Sequence, residues 1–174
     1  MTTSLGQDML LRFANKAYAK LQMITKLKYV GVKVEDLLDI YILHIRSVAE
    51  YCSVVFHSRL NDELNAKLEC IRRTCLKVIL CDMYIDYKLA LEMTGLDTFQ
   101  SRRQKRCLDF SLKCAKHARN QRIFPLVDPN PSYKLRNSEM FKFNFVHTFT
   151  YKDSAVPFCQ RLLNKHFLEK KVKK

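Results

Sequence analysis

Through the first hundred residues, apolar side chains recur every three or four positions, so this stretch predicts helices separated by short breaks. Leu10, Phe13, Ala17, Leu21 and Ile24 define one face of a first helix, from Met9 to about Tyr29, that Gly31 ends. Leu38, Ile42, Ile45, Ala49 and Cys52 form the stripe of a second, from about Glu35 to Phe56, with Glu35 and Asp36 placed favourably at its N-terminus. Asn61 is the expected N-cap of a third, carrying Leu64, Leu68, Ile71, Cys75 and Val78. Asp86 opens a short helix that closes near Gly95, and Thr98 caps a fifth that runs from Phe99 to about Arg119.

The pattern then changes. The run from Ile123 to Pro131 contains three prolines and cannot be helix; Phe124, Leu126 and Val127 call for burial in an ordered loop. Phe141, Phe143 and Phe145 alternate with polar residues at the two-residue period of a strand, and Phe149 with Tyr151 is a candidate for a second. A last amphipathic helix is expected from Ser154 to about Leu168, with Pro157 tolerated in its first turn. The predicted architecture is a mainly α bundle of four to five helices over residues 1–119. A basic extension over 120–174 follows, with a proline-rich loop, short strands and a terminal helix.

Charge sharpens this division. Residues 1–100 hold 13 Lys and Arg against 12 Asp and Glu, whereas residues 101–174 hold 18 against 5, so +13 of the net +14 lies in the last 74 residues. A block of this kind implies a polyanionic partner, most often nucleic acid. On the fifth helix, at about 100° per residue, Lys105, Arg106, Lys113 and Lys116 fall within roughly 60° of Arg102, interrupted by Asp109 alone. Phe110, Cys107, Cys114, Ala115, Leu108 and Leu112 are expected on the opposite, buried side. These five cations are the expected phosphate contacts, flanked by Arg103, Arg119, Arg122, Lys134 and Arg136. An ordinary solvated face would mix both signs. Tyr133 and the three alternating phenylalanines are candidates for base stacking, with core packing the expected fate of the phenylalanines.

The chemistry of an enzyme is missing from the pattern. There is no phosphate-binding Gly-rich loop, nucleophile elbow, His-Glu-x-x-His or close aspartate pair, and His57 near Cys52 lacks an orienting third group. Seven cysteines show no Cys-x-x-Cys pairing, so they are expected as free, mostly buried thiols rather than metal ligands. No catalytic residue, metal, cofactor or small-molecule substrate is expected. No stretch reaches the roughly 18 apolar residues of a membrane span, and no apolar signal block follows Met1. An intracellular protein, nuclear or cytoplasmic, is the expectation.

Six strings carry a resemblance. Tyr41 to Ser58 (YILHIRSVAEYCSVVFHS) is similar to the segment Y-x-x-x-I-R-S-x-x-E-Y-x-x-P-V-W-H-S that follows the catalytic palm in reverse transcriptases of non-LTR, LINE-type (jockey-like) retrotransposons. Ile71 to Leu80, Tyr87 to Leu96 and Thr98 to Arg103 resemble its next landmarks, and Tyr133 to Asn137 and Tyr151 to Pro157 its closing ones. The likeness runs in order from about Ala14 to Asn164. Val54 stands where the family has proline and Phe56 where it has tryptophan. The resemblance implies a thumb and C-terminal extension that grips RNA, RNA–DNA hybrid or DNA and adjoins the polymerase palm. The family's Ala-Asp-Asp catalytic motif is not among these residues. The rival reading is a domesticated or relic helical module whose basic surface docks an acidic protein.

Overall fold

A computed structural model describes residues 3–127, 140–142 and 148–172. The chain is mainly helical. It divides into two units: unit 1 comprises residues 1–52 and 60–102, and unit 2 comprises 53–59 and 103–174. The boundary between the units falls inside the fifth predicted helix, and unit 2 also includes a short piece of earlier chain.

Unit 1 is built around α1 (Thr3–Tyr29), which packs along α5 (Asp62–Leu80). Ala17, Leu21 and Ile24 of α1 meet Leu68, Ile71, Cys75 and Ile79 of α5 in one buried cluster. Gly31, at φ +89°, turns the chain after α1 in a conformation that side chains disfavour. At the far end of α5, Lys28 Nζ donates to the Ile79 carbonyl at 3.1 Å, satisfying one of the acceptors a helix terminus leaves open.

The second predicted helix is not a single regular helix. It begins as α2 (Val34–Ile40), widens into a π-helical turn over Tyr41–Arg46, continues as α3 (Ser47–Ala49) and breaks before α4 (Ser53–Phe56). From Val34 to Ala49 the buried residues are Leu37, Tyr41, Ile45 and Ala49, a strict spacing of four. In a regular α-helix each such step drifts by about 40°, so three steps would carry the stripe off its face. A turn closed by i→i+5 bonds has more residues per turn and restores the alignment. The break comes at Cys52, whose φ of +52° is left-handed. Cys52, expected on the stripe, is exposed.

The caps follow the sequence expectation. Asn61 accepts from the Leu64 N–H at 2.9 Å to open α5. Asp86 accepts from Lys88 N at 3.3 Å to open α6 (Tyr87–Thr94), which Gly95 closes at φ +64°. A buried polar network joins the elements of unit 1. Arg72 is fully buried, stacks 3.8 Å from the Phe99 ring centroid, donates from Nε to Tyr41 Oη at 3.0 Å and also reaches the Asp97 carbonyl. Burial pushes the Tyr41 hydroxyl up to about 12 against the opposing pull of Arg72.

Unit 2 has a smaller core. Phe124, Phe141, Cys159 and Leu163 are buried together, with Leu112, Cys114, Ala115 and Phe167 packed against them. Its last helices are α8 (Phe149–Lys152) and α9 (Ala155–Val172), and Pro157 lies in the first turn of α9, as expected. The small β element is not seen: among the described residues there is no strand, only an isolated antiparallel bridge between Leu126 and Phe141. Asn164 takes the place of a neighbouring strand there. Its Oδ1 accepts from the N–H groups of Phe141 (2.9 Å) and Met140 (3.2 Å), and its Nδ2 donates to the Phe141 carbonyl at 3.0 Å. Phe143 and Phe145 lie outside the described residues. Leu126 and Val127, expected inside, are exposed, while Phe124 is buried as expected.

Candidate nucleic-acid interface

The helix that carries the basic ridge, α7 (Phe99–Lys116), is fixed at its start by two acceptors. Thr98 Oγ1 accepts from Ser101 N at 3.2 Å, and Glu69 Oε1 accepts from Phe99 N at 2.7 Å, where a carboxylate favours the helix dipole. At the other end Asn120 Nδ2 donates to the Cys114 carbonyl at 3.1 Å, and the chain turns into a 3-10 segment, Ala118–Asn120, three residues earlier than the expected end near Arg119.

The ten candidate cations separate into three groups. Lys105, Arg106, Lys113, Lys116, Arg119 and Arg122 are exposed residues of unit 2. Arg103 requires correction as a surface contact, and Arg102 is half-buried. Arg102 belongs to unit 1, where its Nε donates to Glu50 Oε1 at 2.8 Å; the Glu50 side chain is 1% exposed, so this pair is largely withdrawn from water. Arg103 is completely buried. Lys134 and Arg136, with Tyr133, lie outside the described residues.

The buried stripe of α7 explains this sorting. Arg103, Cys107 and Ser111 are buried and Cys114 is half-buried, at spacings of four, four and three. Arg103 therefore sits on the inner face although it adjoins the ridge in sequence. That signal was available, since Arg103 precedes Cys107 by one helical turn; Glu50, 52 positions from Arg102, gave none. Phe110, expected to be buried, is 48% exposed. Phe141 takes the packing fate, edge-on to Phe124 with centroids 6.5 Å apart and tilted against Phe167 at 6.0 Å.

No protein-family model, curated protein or solved structure matches the chain. Around the ridge, unit 2 exposes further cations that sequence patterning did not single out, among them Arg59, Lys142, Lys152, Arg161 and Lys165. Arg161 Nη2 donates to the Lys152 carbonyl at 3.1 Å, which holds two of these near each other. Against them stand few described acids: Asp109, Asp153 and Glu169. Such a surface can hold phosphates, arginine bidentately and lysine as a point charge.

Among the described residues no group of three or more His, Cys, Asp or Glu is placed to hold a metal ion. Cys75, Cys107 and Cys159 are buried free thiols, and desolvation raises the first two to about 12. His57 packs edge-on to Phe158 with centroids 5.1 Å apart. Its basicity is lowered by burial first and by the nearby Arg103 charge second. No described helix is long and apolar enough to cross a membrane.

Proposed function

We propose that this chain is a nucleic-acid-gripping thumb and C-terminal extension of a non-LTR retrotransposon-type RNA-directed DNA polymerase, with no catalytic centre of its own. Unit 2 holds RNA, RNA–DNA hybrid or DNA through backbone phosphates. The observation that carries this is the exposed row of Lys105, Arg106, Lys113 and Lys116 on one side of α7, in a unit whose 18 Lys and Arg face only 5 Asp and Glu. Phosphate neutralisation supplies sequence-independent affinity through counterion release.

A second observation supports the family reading. Residues of four of the resembling strings contact one another within unit 1: Tyr41 with Arg72, Arg72 with Phe99, Arg73 over the Tyr87 ring, and Glu50 with Arg102. Strings that hold each other in place are what a shared fold core requires. In this reading unit 1 supplies the helical bundle, and the Leu126–Phe141 pairing belongs to a small β element. The polymerase palm is the expected neighbour.

Binding of the whole chain to a labelled RNA–DNA hybrid across a salt series tests the proposal. Four neutralised phosphates give a slope of log affinity against log salt of roughly −4. Absence of binding at low salt, or a slope near zero, overturns it; retention of an acidic protein but not of hybrid would place the basic surface with the rival reading.

A further inference from the structure

The exposed charges of α7 are not an even row. Lys105 and Arg106 form one group and Lys113 and Lys116 another, and Asp109 stands exposed between them, about 60° from Arg106 and about 40° from Lys113 around the helix. The centres of the two groups are nine residues apart, about 13.5 Å along the axis. Asp109 has no dipole reason to be there, because it lies in the middle of an 18-residue helix, away from the N-terminal turn where a carboxylate is favoured. It appears in no ion pair among the described residues.

We infer that α7 lies across a groove of a double helix, with Lys105/Arg106 on the phosphates of one strand, Lys113/Lys116 on those of the other, and Asp109 over the groove between them as the residue that selects duplex over single strand. This rests on the phosphate-binding reading above and specifies the form of nucleic acid it takes. The spacing of about 13.5 Å is close to the groove width of roughly 12 Å that a B-form duplex presents, and an A-like hybrid offers a wide, shallow groove as well. A single strand lying along the ridge carries a charge every few ångströms and must pass one over the carboxylate. A duplex straddled by the helix leaves that position to groove water. Asp109 thus costs little with duplex bound and repels a strand that tracks the helix.

The test compares affinities of the whole chain for a 20-base-pair duplex and for one of its strands at about 50 mM salt, using wild type, Asp109→Asn and Asp153→Asn. The second variant removes another exposed carboxylate of unit 2, in the turn between α8 and α9, and reports the effect of net charge alone. Wild type is expected to prefer duplex. Asp109→Asn is expected to tighten single-strand binding about three- to fivefold while changing duplex binding less than twofold, from the repulsion of one carboxylate about 5 Å from a phosphate in water. Asp153→Asn should move both by the same small factor. If Asp109→Asn tightens both forms equally, or changes neither, the groove-straddling assignment is overturned while phosphate binding stands. If wild type binds neither form, both readings fall.

Discussion

The two units differ less in how many cations they hold, 13 in unit 1 against 18 in unit 2, than in the acids beside them, 12 against 5. Unit 1 engages many of its cations internally. Lys20 and Lys28 donate to the carbonyls of His44 and Ile79, Arg72 and Arg73 lie over Phe99 and Tyr87, Lys77 over Tyr84, and Arg102 pairs with Glu50. In unit 2 most described cations, apart from the buried Arg103, are exposed. A count of basic residues therefore says little about exposure. Of two arginines adjacent in sequence, Arg102 is half-buried against Glu50 and Arg103 is fully buried, whereas Lys105 and Arg106 just after them are exposed.

The largest effect expected from this contrast is on stability. Arg72→Ala empties a fully buried site and strands the Tyr41 hydroxyl and the Asp97 carbonyl, so it should cost about 3–5 kcal/mol. Lys113→Ala in unit 2 should change the melt by less than about 0.5 kcal/mol. Equal effects in chemical denaturation would erase the distinction between internal and surface cations. Leu68→Ala should cost a comparable amount, about 2–5 kcal/mol, since Leu68 is 4% exposed between α1 and α5. A melt unchanged within error would show that the stripe of α5 does not bear the core of unit 1.

A smaller loss, about 1.5–3 kcal/mol, is expected for Glu50→Ala, which leaves Arg102 without its charge-assisted partner. Acid should weaken unit 2 through His57. Its folded value lies below the ordinary 6.5, so the unfolded chain binds the proton more readily. The contribution of neutral His57 is present above about pH 6.5 and is lost as pH falls through the lower folded value. Melts from pH 7.5 to 5 should fall less steeply for His57→Gln than for wild type; parallel curves would remove His57 from the account. The smallest effect is one of reactivity. Exposed Cys52, Cys70 and Cys81 should label with a thiol reagent at pH 8, and Cys75, Cys107 and Cys159 should stay protected until denaturant is added.

Local signals carried the helices well, because a cap is written in one or two residues. Asn61, Asp86, Gly95 and Thr98 each do what their residue type suggests. The misread stretch is Val34 to Phe56, where spacings of three and four suggested a regular helix and the buried set as far as Ala49 follows a spacing of four that needs a π-helical turn. The Phe141 segment looked like a strand, but the N–H and carbonyl of Phe141 itself are satisfied by the Asn164 side chain, 23 positions away, which no two-residue period announces. The unit boundary was illegible for a similar reason. It falls within α7, so neither proline nor glycine marks it. The ridge itself was readable as a helical face; what it lacked was the inward stripe through Arg103 and the distant carboxylate of Glu50.

The central claim is that the exposed cations of unit 2, and not basic residues in general, hold nucleic acid. It is tested most directly by the salt dependence of hybrid affinity in two triple variants of equal charge change. Arg106→Gln/Lys113→Gln/Lys116→Gln lies on the α7 ridge, and Lys16→Gln/Lys26→Gln/Lys33→Gln replaces three exposed lysines of unit 1. The ridge variant should flatten the slope by about 2–3 units with no change in sequence preference, since phosphate contacts position without specifying, while the unit 1 variant keeps the wild-type slope. Equal flattening in both, or none in the ridge variant, would contradict the account.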